Sequence, residues 1–365
     1  MITLDLLKEI ASLGGYNITG TDAQAVANKA RALRRLNQVR SDIQSRYSGR
    51  WQGAYREGWL PIVPVYGTGT VAVTQGSRTV TGTNTVWVST MVGRKFLGPN
   101  NEYYKIAAVG GNTTLTLTEP YQGADVTSGG SYQIWKDEYP LYPEVFSVID
   151  FVNYTDPLQM TEDFPKHGRL LSPRSTAAET PKSYMIVGRQ QSNGSYSTGT
   201  VSITSGSKTL TGVATSWLGN IYPGYSLTIG AYTYNVYSVD SDTQITLYQY
   251  AVATAAGLTY SAKGSNALVV RFLYPSGQSV VNYSYYSKSY PLMSDSDEDW
   301  LAELYPHLIL DGIMKYDFLD KNDPVRASQA AQLFENSVKN AQVSDQSSFA
   351  GTAVLGLDIP DHARE

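Results

Sequence analysis

The densest run of side chains able to do chemistry is Asp295-Ser-Asp297-Glu-Asp299. Alternating aspartates of this kind open calcium-binding loops, which need Gly at the sixth position and Glu at the twelfth. Trp300 and Pro306 stand there instead, so the calcium reading fails and an acidic helix start, facing the positive end of the helix dipole, takes its place. The three histidines, His167, His307 and His362, are far apart and none belongs to an H-E-x-x-H pair. There is no cysteine, which excludes disulfides and thiolate metal sites. Gly67-Thr-Gly-Thr and Gly110-Gly-Asn lead into strand-like residues rather than a helix N-terminus, and no G-x-x-x-x-G-K-[ST] occurs. Glu119, Asp125, Asp240 and Asp242 sit in turn-like contexts, where solvated carboxylates are the rule. The expectation is a non-enzyme with no catalytic residues, no metal and no cofactor.

What the residues do specify is a duplication. From Gly69 the chain reads Gly-Thr-Val-Ala-Val-Thr-Gln-Gly-Ser-Arg-Thr-Val-Thr-Gly-Thr-Asn-Thr-Val-Trp87. From Gly199 it reads Gly-Thr-Val-Ser-Ile-Thr-Ser-Gly-Ser-Lys-Thr-Leu-Thr-Gly-Val-Ala-Thr-Ser-Trp217. At one constant offset, 11 of these 19 paired positions are identical. The match continues through Tyr104-Lys-Ile106 with Tyr234-Asn-Val236 and Thr114-Leu-Thr-Leu117 with Gln244-Ile-Thr-Leu247. Apolar residues alternate with polar ones, as in half-buried strands. Gln75-Gly76-Ser77 and Ser205-Gly206-Ser207 read as hairpin turns, Gly82 and Gly212 as strand ends, and Trp87 and Trp217 as plugs of two small cores.

The flanking chain has helical periodicity. Leu4, Leu6, Leu7, Ile10 and Leu13 predict a helix over 3–13. Val26, Ala30, Leu33, Leu36, Val39, Ile43 and Tyr47 predict a longer one over 22–48, capped by Thr21. A third is expected from Ser294 with Trp300, Leu301 and Leu304, restarting at Pro306. A fourth follows Asp323-Pro324, with Ala327, Ala331, Phe334, Val338 and Ala341 as its seam. Five further stretches read as strands: Trp59 to Tyr66, Val145 to Val152, Tyr184 to Gly188, Leu268 to Leu273 and Val280 to Tyr286. The fold class is therefore α+β: a discontinuous helical and β core over 1–66, 136–196 and 262–345, with two homologous small β-sandwich or barrel modules inserted at 67–135 and 197–261. Residues 346–365 lack periodicity and read as an extended tail with Phe349, Leu355, Leu357 and Ile359 as anchors. Arg31, Arg34, Arg35, Arg40 and Arg46 form the one basic cluster, either paired with carboxylates or facing an acidic partner or passing DNA.

Charged residues make up 16% of the 365 and tyrosines number 28, a balance that fits surfaces covered by partners. Net charge is −4, which gives no reason to expect nucleic-acid wrapping. The first residues show no signal peptide and no apolar run is long enough to span a membrane.

The N-terminal helices, Trp59-Leu-Pro-Ile-Val-Pro-Val65 and the helical pair from Asp299-Trp-Leu-Ala-Glu-Leu to Asp323-Pro-Val-Arg-Ala327 resemble the head-to-tail adaptor (neck, connector) proteins of short-tailed bacteriophages. The repeated Gly-Thr-Val signature is similar to a β module of phage structural proteins. The resemblance implies a virion protein of the neck, assembled in the host cytoplasm as a homo-oligomeric ring of twelve copies beneath the portal protein. It implies contacts to tail or nozzle proteins and to fibres, and a channel through which genomic DNA passes without specific binding. Candidate interface residues are Arg34, Arg35, Arg40, Trp300, Phe334, Phe349, Leu355 and Ile359. Removing residues 345–365 is expected to leave the fold intact and weaken portal binding. Two alternatives stay open: a fibre or receptor-binding protein whose modules hold glycan or protein, and another tail-tube or completion ring.

Overall fold

The structure, a computed structural model, describes residues 3–15, 17–46, 50–153, 156–157, 159–160, 183–190, 195–264, 266–272 and 280–353. His167, His362, Leu355 and Ile359 lie outside these residues.

Helices α1 (Thr3–Gly14) and α2 (Ala23–Ser45) open the chain. Asp22, not Thr21, caps α2 by accepting from the Ala25 N–H. The buried stripe of α2 is Ala25, Ala32, Leu36, Val39, Arg40 and Ile43, so Val26 and Ala30 turn outward, against the expected seam. Strand β1 (Tyr55–Pro61) follows. The first repeat then forms β2 (Thr70–Val73), β3 (Thr79–Thr83), β4 (Lys95–Leu97), β5 (Tyr103–Gly111), β6 (Thr114–Leu117), β7 (Val126–Gly130) and β8 (Gln133–Trp135). The chain returns through β9 (Glu138–Pro140), β10 (Val145–Asn153), β11 (Asp156–Pro157), β12 (Gln159–Met160) and β13 (Ser183–Gln190). The second repeat forms β14 (Thr200–Ile203), β15 (Thr209–Val213), β16 (Ser226–Ile229), β17 (Tyr232–Ser241), β18 (Gln244–Leu247), β19 (Ala255–Leu258) and β20 (Tyr260–Lys263). Strands β21 (Ala267–Phe272) and β22 (Val280–Ser287) lead to α3 (Trp300–Leu304), α4 (Pro306–Asp320) and α5 (Pro324–Ala353).

The protein is thus α+β, its sheets almost wholly antiparallel. Each repeat is a seven-stranded sheet, ordered β7-β2-β3-β6-β5-β4-β8 in the first and β19-β14-β15-β18-β17-β16-β20 in the second. The two end strands of each order are consecutive in sequence, so each sheet curls back on itself as a half-barrel around its own core. Gly82 and Gly212 lie inside β3 and β15 rather than ending them. A Cβ on Gly82 would stand 2.8 Å from the Trp87 ring, and one on Gly212 would stand 2.7 Å from Trp217, so glycine makes the room for each plug.

The rest of the β structure forms two four-stranded sheets, β1-β22-β10-β11 and β12-β13-β21-β9. They share one core of Leu60, Tyr139, Phe151, Val270, Phe272, Val281 and Tyr283. The helices bury a separate core that includes Leu36, Val39, Trp51, Leu301, Ile309 and Phe334. Gly312 of α4 lets that helix close on α2, since a Cβ there would meet Val39 Cγ1 at 2.5 Å.

Two expectations change here. The third helix starts at Trp300, six residues later than Ser294, because Asp297 folds the preceding segment into a turn by accepting from the Met293 and Ser294 N–H groups. The stretch 346–353 is helical, as the end of α5, rather than extended.

Candidate interaction surfaces

Each repeat is built around the same polar chain. The Trp87 indole donates to the Tyr132 hydroxyl at 3.0 Å, and that hydroxyl donates to the Thr68 carbonyl at 2.6 Å. In the second repeat Trp217 donates to Tyr260 at 2.8 Å and Tyr260 to the Thr198 carbonyl at 2.8 Å. Both tryptophans are fully buried, as their reading as plugs requires. Burial raises the Tyr132 and Tyr260 hydroxyls above the ordinary phenol range, so they remain protonated donors.

The second repeat is seated on the core through Glu144, which is 3% exposed. Its carboxylate accepts from the Tyr248 hydroxyl at 2.5 Å and from the Tyr285 hydroxyl. Burial pushes the Glu144 carboxyl above the usual carboxylate range, against the opposing pull of the two phenols and of Arg56 and Lys288. Burial, with Arg189 nearby, draws the Lys288 amine down to about 8; it donates to the Pro143 carbonyl at 2.5 Å. Tyr248 also packs on Tyr290, with centroids 4.7 Å apart, and Tyr222 stacks on Tyr142 at 6.1 Å. The Gln249 amide donates to the Pro291 carbonyl at 3.1 Å, and the Tyr250 N–H to Asp297 at 2.7 Å. Every anchor on the core side comes from a residue distant in sequence, and a lone Glu ahead of a strand carries no local signature.

Beside this seat lies a cleft of 530 Å³ lined by Trp59, Glu57, Tyr142, Tyr222, Tyr237 and Glu144. Trp59 is 67% exposed and borders two further depressions of 270 and 420 Å³. It stands on β1, an edge strand of its sheet.

A third surface is on α5. Its inner face buries Ala327, Ala330, Phe334 and Val338. Its outer face exposes Val325 (67%), Leu333 (49%) and Val343 (65%). Val325 and Val343 are 18 residues apart, five whole turns, so they share one side of a ridge about 27 Å long. Gln329, Gln332, Asn336 and Lys339 occupy the same side between the two valines, so the sequence shows no second apolar period there.

The candidate interface residues separate into groups. Arg34 is exposed on α2. Arg35 pairs with Asp320 at 2.6 Å and lies over the Tyr316 ring. Arg40 and Phe334 are corrections: both are buried inside the chain and present nothing to a partner. Arg40 is gripped by Asp299, Nε to Oδ2 at 2.9 Å and a terminal nitrogen to Oδ1 at 2.7 Å, while Phe334 fills the helical core. Of the remaining arginines, Arg31 also pairs with Asp320, and Arg46 with Asp42 and Glu335. Trp300 is half-buried against Trp51 and Gly53. Phe349 belongs to α5, but its side chain lies outside the described residues. A deletion from residue 345 would also remove Asp345, a buried carboxylate that accepts from the Gln52 N–H and the Tyr305 hydroxyl, so the intact fold expected of that truncation does not follow.

The acidic run resolves into separate ties: Asp295 to Lys29 at 2.5 Å, Asp297 to backbone N–H groups, and Asp299 to Arg40. Among the described residues no three His, Asp or Glu side chains are placed to hold a metal ion.

No family model matches the chain, and no curated protein matches it. Among solved structures, one described as LumP complexed with flavin mononucleotide aligns at 10% identity over 60% of this chain and 97% of that one. Its TM-score is 0.13, which carries no argument about fold or function.

Proposed function

We propose that this chain is a virion structural protein that self-associates into a ring at the head-to-tail junction of a short-tailed phage. In this reading the helical bundle and two central sheets form the adaptor core, and the two half-barrels are its inserted modules. The ring sits beneath the portal protein, docks tail components and leaves a channel for DNA. The observation that carries the reading is the outer face of α5. Val325, Leu333 and Val343 stand exposed there among Gln329, Gln332, Asn336 and Lys339, three apolar side chains that nothing in the described chain covers. The sequence resemblance and the low charge point the same way, and ring closure requires a heterologous interface of this kind.

The test is the solution mass of the protein, alone and mixed with the portal of its phage. A discrete ring-sized species is expected, and Val325→Lys with Val343→Lys should abolish it while leaving the thermal midpoint of the monomer unchanged. A monomer or trimer that ignores the portal would sink the reading.

A second reading, a receptor-binding protein, draws on Trp59. Its exposed indole, flanked by Tyr142 and Tyr222 and close to Glu57, fits a pyranose ring better than either module tryptophan does, since both of those are buried. Quenching of tryptophan fluorescence by chitotriose, absent in Trp59→Ala, would favour it.

A further inference from the structure

The duplication supplies an internal control for which surfaces of a module are used. Backbone hydrogen bonds fix the equivalences. The Gly93 N–H donates to the Ile106 carbonyl as that of Gly224 does to Val236. The Ile106 N–H donates to Arg94 as that of Val236 does to Tyr225, and the Thr118 N–H to Lys105 as that of Tyr248 does to Asn235. Gly93, Arg94, Lys105, Thr118 and Glu119 therefore correspond to Gly224, Tyr225, Asn235, Tyr248 and Gln249.

In the second module this face is the seat on the core, and Gly224, Asn235 and Gln249 are buried. In the first module Gly93, Lys105 and Glu119 are all exposed. A Cβ on Gly224 would meet the Glu144 backbone nitrogen at 2.2 Å, whereas one on Gly93 would meet nothing within 4 Å. Val88 and Val92, which border the open face, are 43% and 48% exposed. Its margin approaches the core at Lys136, whose amine is lowered by burial and, secondarily, by the nearby Arg94.

We infer that this open face of the first module is covered by a second copy of the same chain. The fold already covers the equivalent face with a surface of this chain, and within one molecule that seat is filled by the second module. The cover must also suit what stands on this face: Arg94 in place of Tyr225, Lys105 in place of Asn235, Thr118 in place of Tyr248 and Glu119 in place of Gln249, a net positive patch beside two aliphatics. Of the acids in the carboxy-terminal helical portion, Asp295, Asp299, Asp320 and Glu335 already pair with cations of α2 or its C-cap Arg46, whereas Glu303 stands in no ion pair among the described residues. Glu303 is exposed at the end of α3 next to Leu304, an acid beside an aliphatic. That pair complements Lys105 and Val92 in charge and apolarity, and a head-to-tail contact between two different patches is the type that propagates around a ring. The inference rests on the self-association proposed above and names where one copy meets the next.

The chain has no cysteine, so single cysteines report without background. Lys105→Cys and Glu303→Cys proteins are prepared separately, mixed, and treated with a short bis-maleimide. A covalent dimer containing one of each is expected, and Asn112→Cys, in the turn between β5 and β6 at the other end of β5 from Lys105, mixed with Glu303→Cys should give none. Lys105→Glu should lower the assembled fraction, and Glu303→Lys in the same chain should restore it. If the copies assemble by mass but the Lys105–Glu303 dimer does not form, this interface is wrong while the ring reading stands. If the protein stays monomeric at every concentration and with portal present, both fail.

Discussion

The Trp87 indole and the Tyr132 hydroxyl are locked edge to face, 5.8 Å between centroids, with the hydrogen bond between them at 3.0 Å. That one phenol accepts from Trp87 and donates to Thr68, so it closes the barrel end and ties the entering chain at once.

Tyr132→Phe should leave the buried Trp87 indole N–H unpaired, costing about 1–3 kcal/mol, while the carbonyl of the exposed Thr68 can turn to water. Tyr260→Phe should do the same in the second module. Urea unfolding of the full chain reads both; no change in midpoint for either variant would mean that the polar chain contributes nothing to stability.

Glu144 gives a pH dependence with a defined sign. Its folded pKa lies above the unfolded value, so the native chain holds the proton to higher pH than the unfolded chain does. Stability from this site is fully present below the unfolded carboxyl value, about 4.3, and is lost as pH rises through the folded value. Glu144→Gln should flatten that slope. Glu144→Ala should strand the Tyr248 and Tyr285 hydroxyls at about 1–3 kcal/mol each. Denaturant midpoints measured across acidic to neutral pH check this, and an unchanged slope in the Gln variant would contradict it.

Arg40 and Asp299 form an ion pair taken out of water, with side chains 3% and 7% exposed. Arg40→Met alone should cost about 3–5 kcal/mol by leaving a buried carboxylate unpaired. Arg40→Met with Asp299→Leu should recover most of that loss. A double variant as unstable as the single one would mean that the site cannot be repacked with apolar groups.

What could be read from the sequence was local. The half-barrels follow from period-two alternation and from a repeat that doubles every signal, and the helices from their seams and from Asp323-Pro324. What could not be read depends on distant partners. Arg40 looks like any surface arginine of α2 until Asp299, Tyr290 and Asn37 surround it. Asp297 looks like dipole chemistry until Tyr250 arrives from the second module. Gly82 looks like a strand end because its reason, the Trp87 ring five residues on, is steric and lies across a loop. Trp59 sits in an apolar run that reads as core, yet strand alternation turns it outward.

The chain enters the first module at Tyr66 and leaves it at Ile134, and these two residues exchange both backbone hydrogen bonds, at 2.8 and 2.7 Å. Tyr196 and Ala262 do the same for the second. A pull transmitted along the polypeptide is therefore carried across each clasp rather than through the barrel behind it. While the clasp holds, a half-barrel bears no tension, and it can be lengthened, exchanged or lost in evolution without altering how the core carries force.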